Sequence, residues 1–441
     1  MLRLIEKPGA SVKLFLISTL IFACLLSSVL GPQSFVGQSV EVYANTTESS
    51  KQSGLDLQLD VKSAILIDAS SGQVLYQVNA EQAFPPASMS KMMTEYLVME
   101  AIASKKITWD SLVPVSKYAS DVIGSGQLIA EGEQLSVRDM VKAMAIYSSN
   151  DASVALAEFV AGSEPAFSKM MNQTAQKMGM KTSKFINATG LSREDIGDNA
   201  PADIPGETMM SARDVATLAK NLVTKYPDIL NYSKIPSQKL RPADDSPMIN
   251  WNWMLEGNKD NINFKRYSYA GLDGLKTGHT SEAGYCFTGT ASRNGMRLIS
   301  VVMGATSEAN RFVETRKLLD YGFNQFEMKQ VVKEGHSYKE FPTVHVIDGV
   351  TLNQEVVTKS ALNILVKKGS SLGSLKPDFV VVEEAKRTAP VDKGAVIGTA
   401  TYDFEGQKYV VELVTKEANE EAGWLRKMFR AIKEFFVGLF S

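Results

Sequence analysis

Between Ala64 and Asn79 the chain reads AILIDASSGQVLYQVN, two apolar runs around Ser-Ser-Gly, which predicts a β-hairpin. From Ser88 to about Tyr226 apolar residues recur at three-and-four spacing, most clearly in VRDMVKAMAIYSS and PAFSKMMNQTAQKMG. That period predicts helices. From Gly274 the pattern returns to strands, and GYCFTGTASRNGMRLISVVMGAT divides at Asn294-Gly295, a strong hairpin signal. ANRFVETRKLLDYGFNQF then reads as a closing helix. Strands, helices, strands and a helix predict an α/β (α+β) domain over residues 58–326, its mainly antiparallel sheet flanked by helices.

After Phe326 the texture changes. TVHVIDGV, ALNILVKKG, DFVVVEEA and KYVVELVTKE are short β-rich runs between turn residues, which predicts a small all-β domain over 327–416. In residues 417–441, Leu425, Met428, Phe429, Ile432, Phe435, Phe436 and Leu439 fall at helical spacing. Arg426, Lys427, Arg430 and Lys433 take other faces, and Trp424 suits a headgroup layer. The stretch predicts an amphipathic helix lying in a membrane surface, its basic residues meeting anionic lipid. The bland alternative is a helix packed on its own domain.

The other end carries an export pattern. Arg3, Lys7 and Lys13 precede the apolar run Leu14–Leu30, and Val42-Tyr43-Ala44 ends in small residues at the positions a signal peptidase reads. A signal peptide over 1–44 is expected, followed by a polar linker over 45–57; a retained anchor is the alternative. Cys24 fits a lipoprotein site poorly, because the apolar run continues beyond it. With the leader gone Cys286 is the only cysteine, so no internal disulfide forms and the cores supply the stability. Its alternating surroundings, GYCFTGTA, predict a small buried filler. The 441 residues are 44% hydrophobic with a net charge of −2, so composition points to cores and not to nucleic acid.

Three short motifs bear chemistry. Ser88 and Lys91 stand three apart at a helix start, which puts both on one face. Either Ser88 is a nucleophile with Lys91 as its base, or it is a helix cap. A free lysine keeps its proton to about pH 10, so burial and a nearby cation would have to neutralise it. Ser148-Ser149-Asn150-Asp151 ends a helical run, where Ser148 can relay a proton and Asn150 can hold an amide; helix-end decoration is the commoner meaning. Lys276-Thr277-Gly278 sits at a predicted strand start, suited to an extended peptide and its carboxylate, or is simply a glycine-rich turn.

Taken together in this order, the three motifs resemble those of penicillin-binding proteins and class A β-lactamases. FPPASMSKMMT, AIYSSNDASVALAE, FINATGL, DGLKTGHT and NRFVETRKLLDYGF extend the resemblance to the low-molecular-mass penicillin-binding proteins, the serine D-alanyl-D-alanine carboxypeptidases. The likeness spans essentially the whole mature chain.

That resemblance implies that Ser88 attacks the bond between the last two D-alanines of a peptidoglycan stem peptide, and that β-lactams acylate it. Lys91 would accept the proton and Ser148 would relay it. Asn150, Lys276, Thr277 and Gly278 would bind substrate, and Arg311 would lie near its terminal carboxylate. The N–H groups of Ser88 and His279 would form the oxyanion hole. No cofactor is expected, and His279, His336 and His345 are too scattered for a paired metal motif.

Three alternatives remain. A β-lactamase needs a glutamate for its deacylating water, and KTSKFINATGLSRED offers none in a Glu-x-x-x-Asn context. An endopeptidase or transpeptidase would use the same residues. A non-catalytic, membrane-attached wall-binding module is disfavoured by intact Ser88, Lys91 and Lys276.

Overall fold

The computed structural model describes residues 56–440. The expected leader, Cys24 and all but the last two residues of the linker lie outside the described residues. The first hairpin forms as β1 (Ser63–Asp68) and β2 (Val74–Val78). A helical layer follows: α1 (Lys91–Ala103), α2 (Asn150–Ala161), α3 (Glu164–Lys177) and α4 (Ala212–Lys225). The chain then returns through β3 (Leu272–Thr280), β4 (Gly284–Arg293) and β5 (Met296–Ala305) to the closing helix α5 (Glu308–Gln325).

The five strands make one antiparallel sheet in the order β2-β1-β5-β4-β3. Strand β3 is therefore an edge. The β4–β5 turn is the two-residue type expected, with Asn294 (φ 50°) and Gly295 (φ 77°) both left-handed between paired Arg293 and Met296. The sheet is covered on both faces, because side chains alternate along each strand. Ile65, Ile67, Ile299 and Val301 join the core beneath the helical layer, whereas Ala64, Leu66, Leu298 and Val302 join the core under α5. Double coverage is why β1 reads as a continuous buried run and not as alternating apolar and polar residues.

Strand β6 (Phe326–Val332) follows α5 without a linker. The chain continues through β7 (Thr343–His345), β8 (Asn353–Thr358), β9 (Leu362–Lys367), β10 (Asp378–Val381), β11 (Val396–Phe404) and β12 (Gln407–Thr415). Five of these form a sheet in the order β7-β8-β12-β11-β10, and β6 pairs with β9. They enclose a core of their own around Val346, Ile397, Ala400 and Leu413. Phe326 and Leu365, however, pack in the core under α5 and tie the β-rich part to the larger unit.

The final helix, α6 (Trp424–Phe440), departs from expectation in its charges. Arg430 donates to the carbonyls of Gly349 (2.7 Å) and Val350 (2.8 Å), and Arg426 donates to Val350 (3.3 Å). Lys427 pairs with Asp348 and Glu421. Three of the four basic residues predicted to meet lipid are thus bonded to their own domain. The apolar residues Trp424, Leu425, Phe429, Phe435 and Phe436 face outward, 50–72% exposed. Among the described residues no helix is long and apolar enough to cross a membrane.

Phe287 is fully buried and meets Phe312 edge-on at 5.2 Å between sheet and α5. Phe287→Ala is expected to lower unfolding free energy by about 3–5 kcal/mol in denaturant titrations. Leu128→Ala, at a position 93% exposed, should change it by less than about 0.5 kcal/mol.

Candidate active site

Ser88 lies in a short 3-10 turn, Ala87–Ser90, that leads into α1. It does not cap the helix; the cap position belongs to Ser90, whose hydroxyl makes no capping bond. Ala87 is held at φ 47°, a left-handed conformation a non-glycine residue rarely adopts, so the turn is sharp. Ser88 is half-buried between buried neighbours, and its Oγ lies 2.9 Å from Lys91 Nζ. The same amine donates to the Thr189 carbonyl at 2.7 Å.

Lys91 is fully buried. Burial, followed by the charge of Lys276, holds its pKa well below the ordinary lysine value, against the opposing carboxylates of Glu95, Glu164 and Asp151. This is the condition the sequence set for Lys91 to act as a base.

Ser148 is presented by a different device. The helix Val137–Lys142 widens into a π turn, Ala143–Tyr147, and Ser148 ends it at φ 66°. Such widened turns recur at functional sites because they turn a side chain off the helix path. Ser148 Oγ accepts from Lys276 Nζ at 2.8 Å, and that amine also reaches the Thr277 carbonyl at 3.0 Å. Burial lowers Lys276 to about 8. Both amines are buried, and the charge of Lys276 is, after burial, the next cause that lowers Lys91.

Lys276, Thr277 and Gly278 lie well inside β3, which begins at Leu272, and not at its start. The three residues occupy the free edge of the sheet, beside the Ser88 turn. A Cβ on Gly278 would fall 2.5 Å from the Pro86 carbonyl oxygen, so only glycine lets strand and turn meet. Arg311 comes from α5, nearly buried, and donates to the Gly278 carbonyl (3.4 Å) and to Glu308 (2.9 Å). Burial lowers its pKa to about 10. His279 is exposed and stacks on Tyr285 at 4.2 Å, and among the described residues its ring has packing but no acid-base partner.

Asn150 faces the 123–129 loop. Its Nδ2 donates to the Ile123 carbonyl at 2.6 Å, and among the described residues its buried Oδ1 has no partner. Beside it, Asp151 accepts from the N–H groups of Gln127 and Ile129, and Ser125 donates to the Ser148 carbonyl. The polar cluster after the π turn therefore pins the 123–129 loop along the pocket wall.

The segment FINATGL has a structural task that sequence reading did not assign. Asn187 Oδ1 accepts from Thr189 N, Thr189 Oγ1 and Gly190 N, folding the loop so that the Thr189 carbonyl points at Lys91. Glu164, also unforeseen, accepts from Ala188 N–H and Tyr118 O–H and braces the same loop. Its glutamate oxygens are thereby occupied. Cys286 is fully buried, as expected, and burial pushes its thiol up to about 11.

Comparison with known proteins agrees with this geometry. Residues 45–307 match the D-alanyl-D-alanine carboxypeptidase family, and residues 326–421 match the family of the penicillin-binding protein 5 C-terminal domain. The chain belongs to the D-alanyl-D-alanine carboxypeptidase family of serine peptidases. It is 34% identical to the D-alanyl-D-alanine carboxypeptidase DacF of Bacillus subtilis, over 95% of this chain and 98% of that one. Its fold is similar to that of a peptidoglycan synthesis regulatory factor (PBP3) from Streptococcus pneumoniae, with a TM-score of 0.71 and 30% identity, covering 82% of this chain and all of the other. Penicillin-binding protein D2 of Listeria monocytogenes, solved in its ampicillin-bound form, is 33% identical with a TM-score of 0.51 and covers 61% of this chain and 100% of that one.

Gly278→Ala is expected to push β3 off the Ser88 turn. Its kcat/KM for D-alanine release should fall by about 10²-fold, the cost of roughly 1 Å of misplacement, with little change in thermal midpoint. Unchanged kinetics would show that strand and turn slide apart freely.

Proposed function

We propose that this carboxypeptidase hydrolyses the terminal D-Ala-D-Ala bond of stem pentapeptides through a Ser88 acyl-enzyme. The observation that carries the reading is the 2.9 Å contact between Ser88 Oγ and a fully buried Lys91 amine. A neutral Lys91 takes the hydroxyl proton as Oγ attacks the carbonyl carbon. The oxyanion forms against the N–H groups of Ser88 and His279. Lys91 returns that proton by way of Ser148, held by Lys276, to the departing amine, and D-alanine leaves. Water then hydrolyses the ester.

The substrate pairs with the free edge of β3, extending the sheet by one strand. Its terminal carboxylate meets Thr277 and the positive field of Lys276 and Arg311. Asn150 shapes the wall by holding Ile123 and keeps its free Oδ1 for a substrate N–H. Penicillin takes the same path and stops as the acyl-enzyme; the ampicillin-bound Listeria relative supports this.

The working domains are then 58–326 for catalysis, 327–416 as a β-rich support and 417–441 as a surface anchor, with 1–44 an export signal. The protein acts on the outer face of the cytoplasmic membrane, and α6 rests its outward apolar face in the lipid.

Intact-protein mass measurement after benzylpenicillin should show one drug-sized adduct on wild type and none on Ser88→Ala. The same substitution should cut D-alanine release by at least about 10³-fold. Rapid drug hydrolysis without an adduct would instead mark a β-lactamase, and neither adduct nor D-alanine would mark a binding module.

Because Lys276 must stay charged and titrates at about 8, kcat/KM is expected to fall as pH rises through that value. A profile flat to pH 10 would remove Lys276 from the mechanism.

The full chain should bind neutral phosphatidylcholine vesicles, and a chain ending at Gly423 should not. Anionic lipid should add less than about tenfold, since Arg426, Lys427 and Arg430 are already held by the protein. Binding that requires anionic lipid would overturn the docked arrangement of α6.

A further inference from the structure

Trp251 belongs to none of the three motifs, yet it stands beside the relay serine. Its indole Nε1–H donates to the Tyr147 carbonyl at 3.0 Å, and the two rings meet at 5.6 Å with a 45° tilt. Tyr147 is the last residue of the π turn and directly precedes Ser148.

The position of that carbonyl explains the contact. The last carbonyls of a helix have no partner within it. At φ 66° Ser148 turns the chain off the helix path, while the Ser148 and Ser149 N–H groups still bond back to the Met144 and Ala143 carbonyls. Trp251 reaches Tyr147 from outside the helix.

The indole is seated on buried neighbours. Trp251 is 40% exposed, but Asn250 and Asn252 on either side are 4% and 1% exposed. Asn250 Nδ2 donates to the carbonyls of Ser233 (3.0 Å) and Ile235 (2.9 Å), and its Oδ1 accepts from the Asn252 N–H. Ser233 Oγ donates in turn to the Asp273 carbonyl of β3 at 2.9 Å. The approach is close: a Cβ on Gly274 would fall 2.8 Å from that hydroxyl. Asp273 stands three residues before Lys276, whose amine meets Ser148 Oγ at 2.8 Å.

The contacts close a ring. It runs from Ser148 through Tyr147, Trp251, Asn250, Ser233 and β3 to Lys276, and back to Ser148. A lysine stem is flexible, so the direct limb alone fixes the serine loosely. The longer limb is made of stacked rings and backbone hydrogen bonds. An indole that merely covered a helix end would need its ring and not its N–H.

We propose that Trp251 is a positioning residue: it latches the π turn to β3 and so holds Ser148 Oγ where it can hand a proton to the departing amine. This rests on the relay role given to Ser148 above.

The role has a chemical signature. An amide nitrogen must gain a proton as its C–N bond breaks, whereas a thioester releases a thiolate that needs none. Both substrates pass through the same Ser88 acyl-enzyme. A displaced Ser148 therefore slows the amide selectively, and a general loosening of the fold slows both.

The test measures kcat/KM for a D-Ala-D-Ala-ended peptide and for its thioester analogue. Trp251→Ala should lower the peptide value by about 10²-fold and the thioester value by less than about threefold. Trp251→Phe keeps a ring and loses the N–H, so its peptide value should fall by about tenfold. This variant carries the test if Trp251→Ala does not fold. In a Ser148→Ala chain, either Trp251 substitution should leave the peptide-to-thioester ratio where Ser148→Ala has put it, since both act through one hydroxyl. Equal losses on the two substrates, or a further fall of the ratio in the double variant, would overturn the proposal.

Hydrogen exchange reads the latch without turnover. The Ser148 N–H should exchange at least about tenfold faster in Trp251→Ala than in wild type. Should Ser148→Ala itself leave the ratio unchanged, the relay reading fails and the latch is judged on exchange: faster exchange keeps it, and unchanged exchange overturns it.

Discussion

A lysine taken wholly out of water is the constraint around which this protein is arranged. Lys91 can be buried only because its proton is disfavoured there and its amine has two acceptors, Ser88 Oγ and the Thr189 carbonyl. Each acceptor needs its own support. The Ser88 turn requires Ala87 in a left-handed conformation and a glycine on the facing strand. The Thr189 carbonyl requires a loop folded by Asn187 and backed by Glu164. Gly190 is part of the same constraint: at φ 84°, its missing Cβ leaves room for the Ala87 carbonyl oxygen, which would otherwise lie 2.1 Å away.

The sheet supplies the second half of the site. Its strand order leaves β3 as an edge, and both faces are already covered, so what remains open beside β3 is its edge, the geometry that a strand-like ligand fits. The Ser88 turn lies against this edge at Gly278, whose carbonyl accepts from the nearly buried Arg311 of α5.

Much of this was legible in the sequence, for identifiable reasons. The hairpins were marked by Ser-Ser-Gly and Asn294-Gly295, turns that few other residues can make. Ser88, Lys91, Ser148 and Lys276 stood in short motifs whose chemistry narrows their use. What could not be read depended on contacts between distant segments. The amide direction of Asn150 is set by Ile123, 27 residues away. Thr189 acts through its backbone, which no side chain advertises. The basic residues of α6 looked free for lipid because the loop at Asp348–Val350 that holds them lies far away in sequence.

The burial of Cys286 settles its redox fate. Outside the cytoplasm, thiols meet oxidants and exchange partners, and exchange needs a thiolate that another sulfur can reach. Cys286 offers neither: it has no exposed surface, and burial keeps the proton on its sulfur. A thiol that would otherwise invite mixed disulfides is sealed in the core between sheet and helices, so in the folded chain Cys286 is chemically silent.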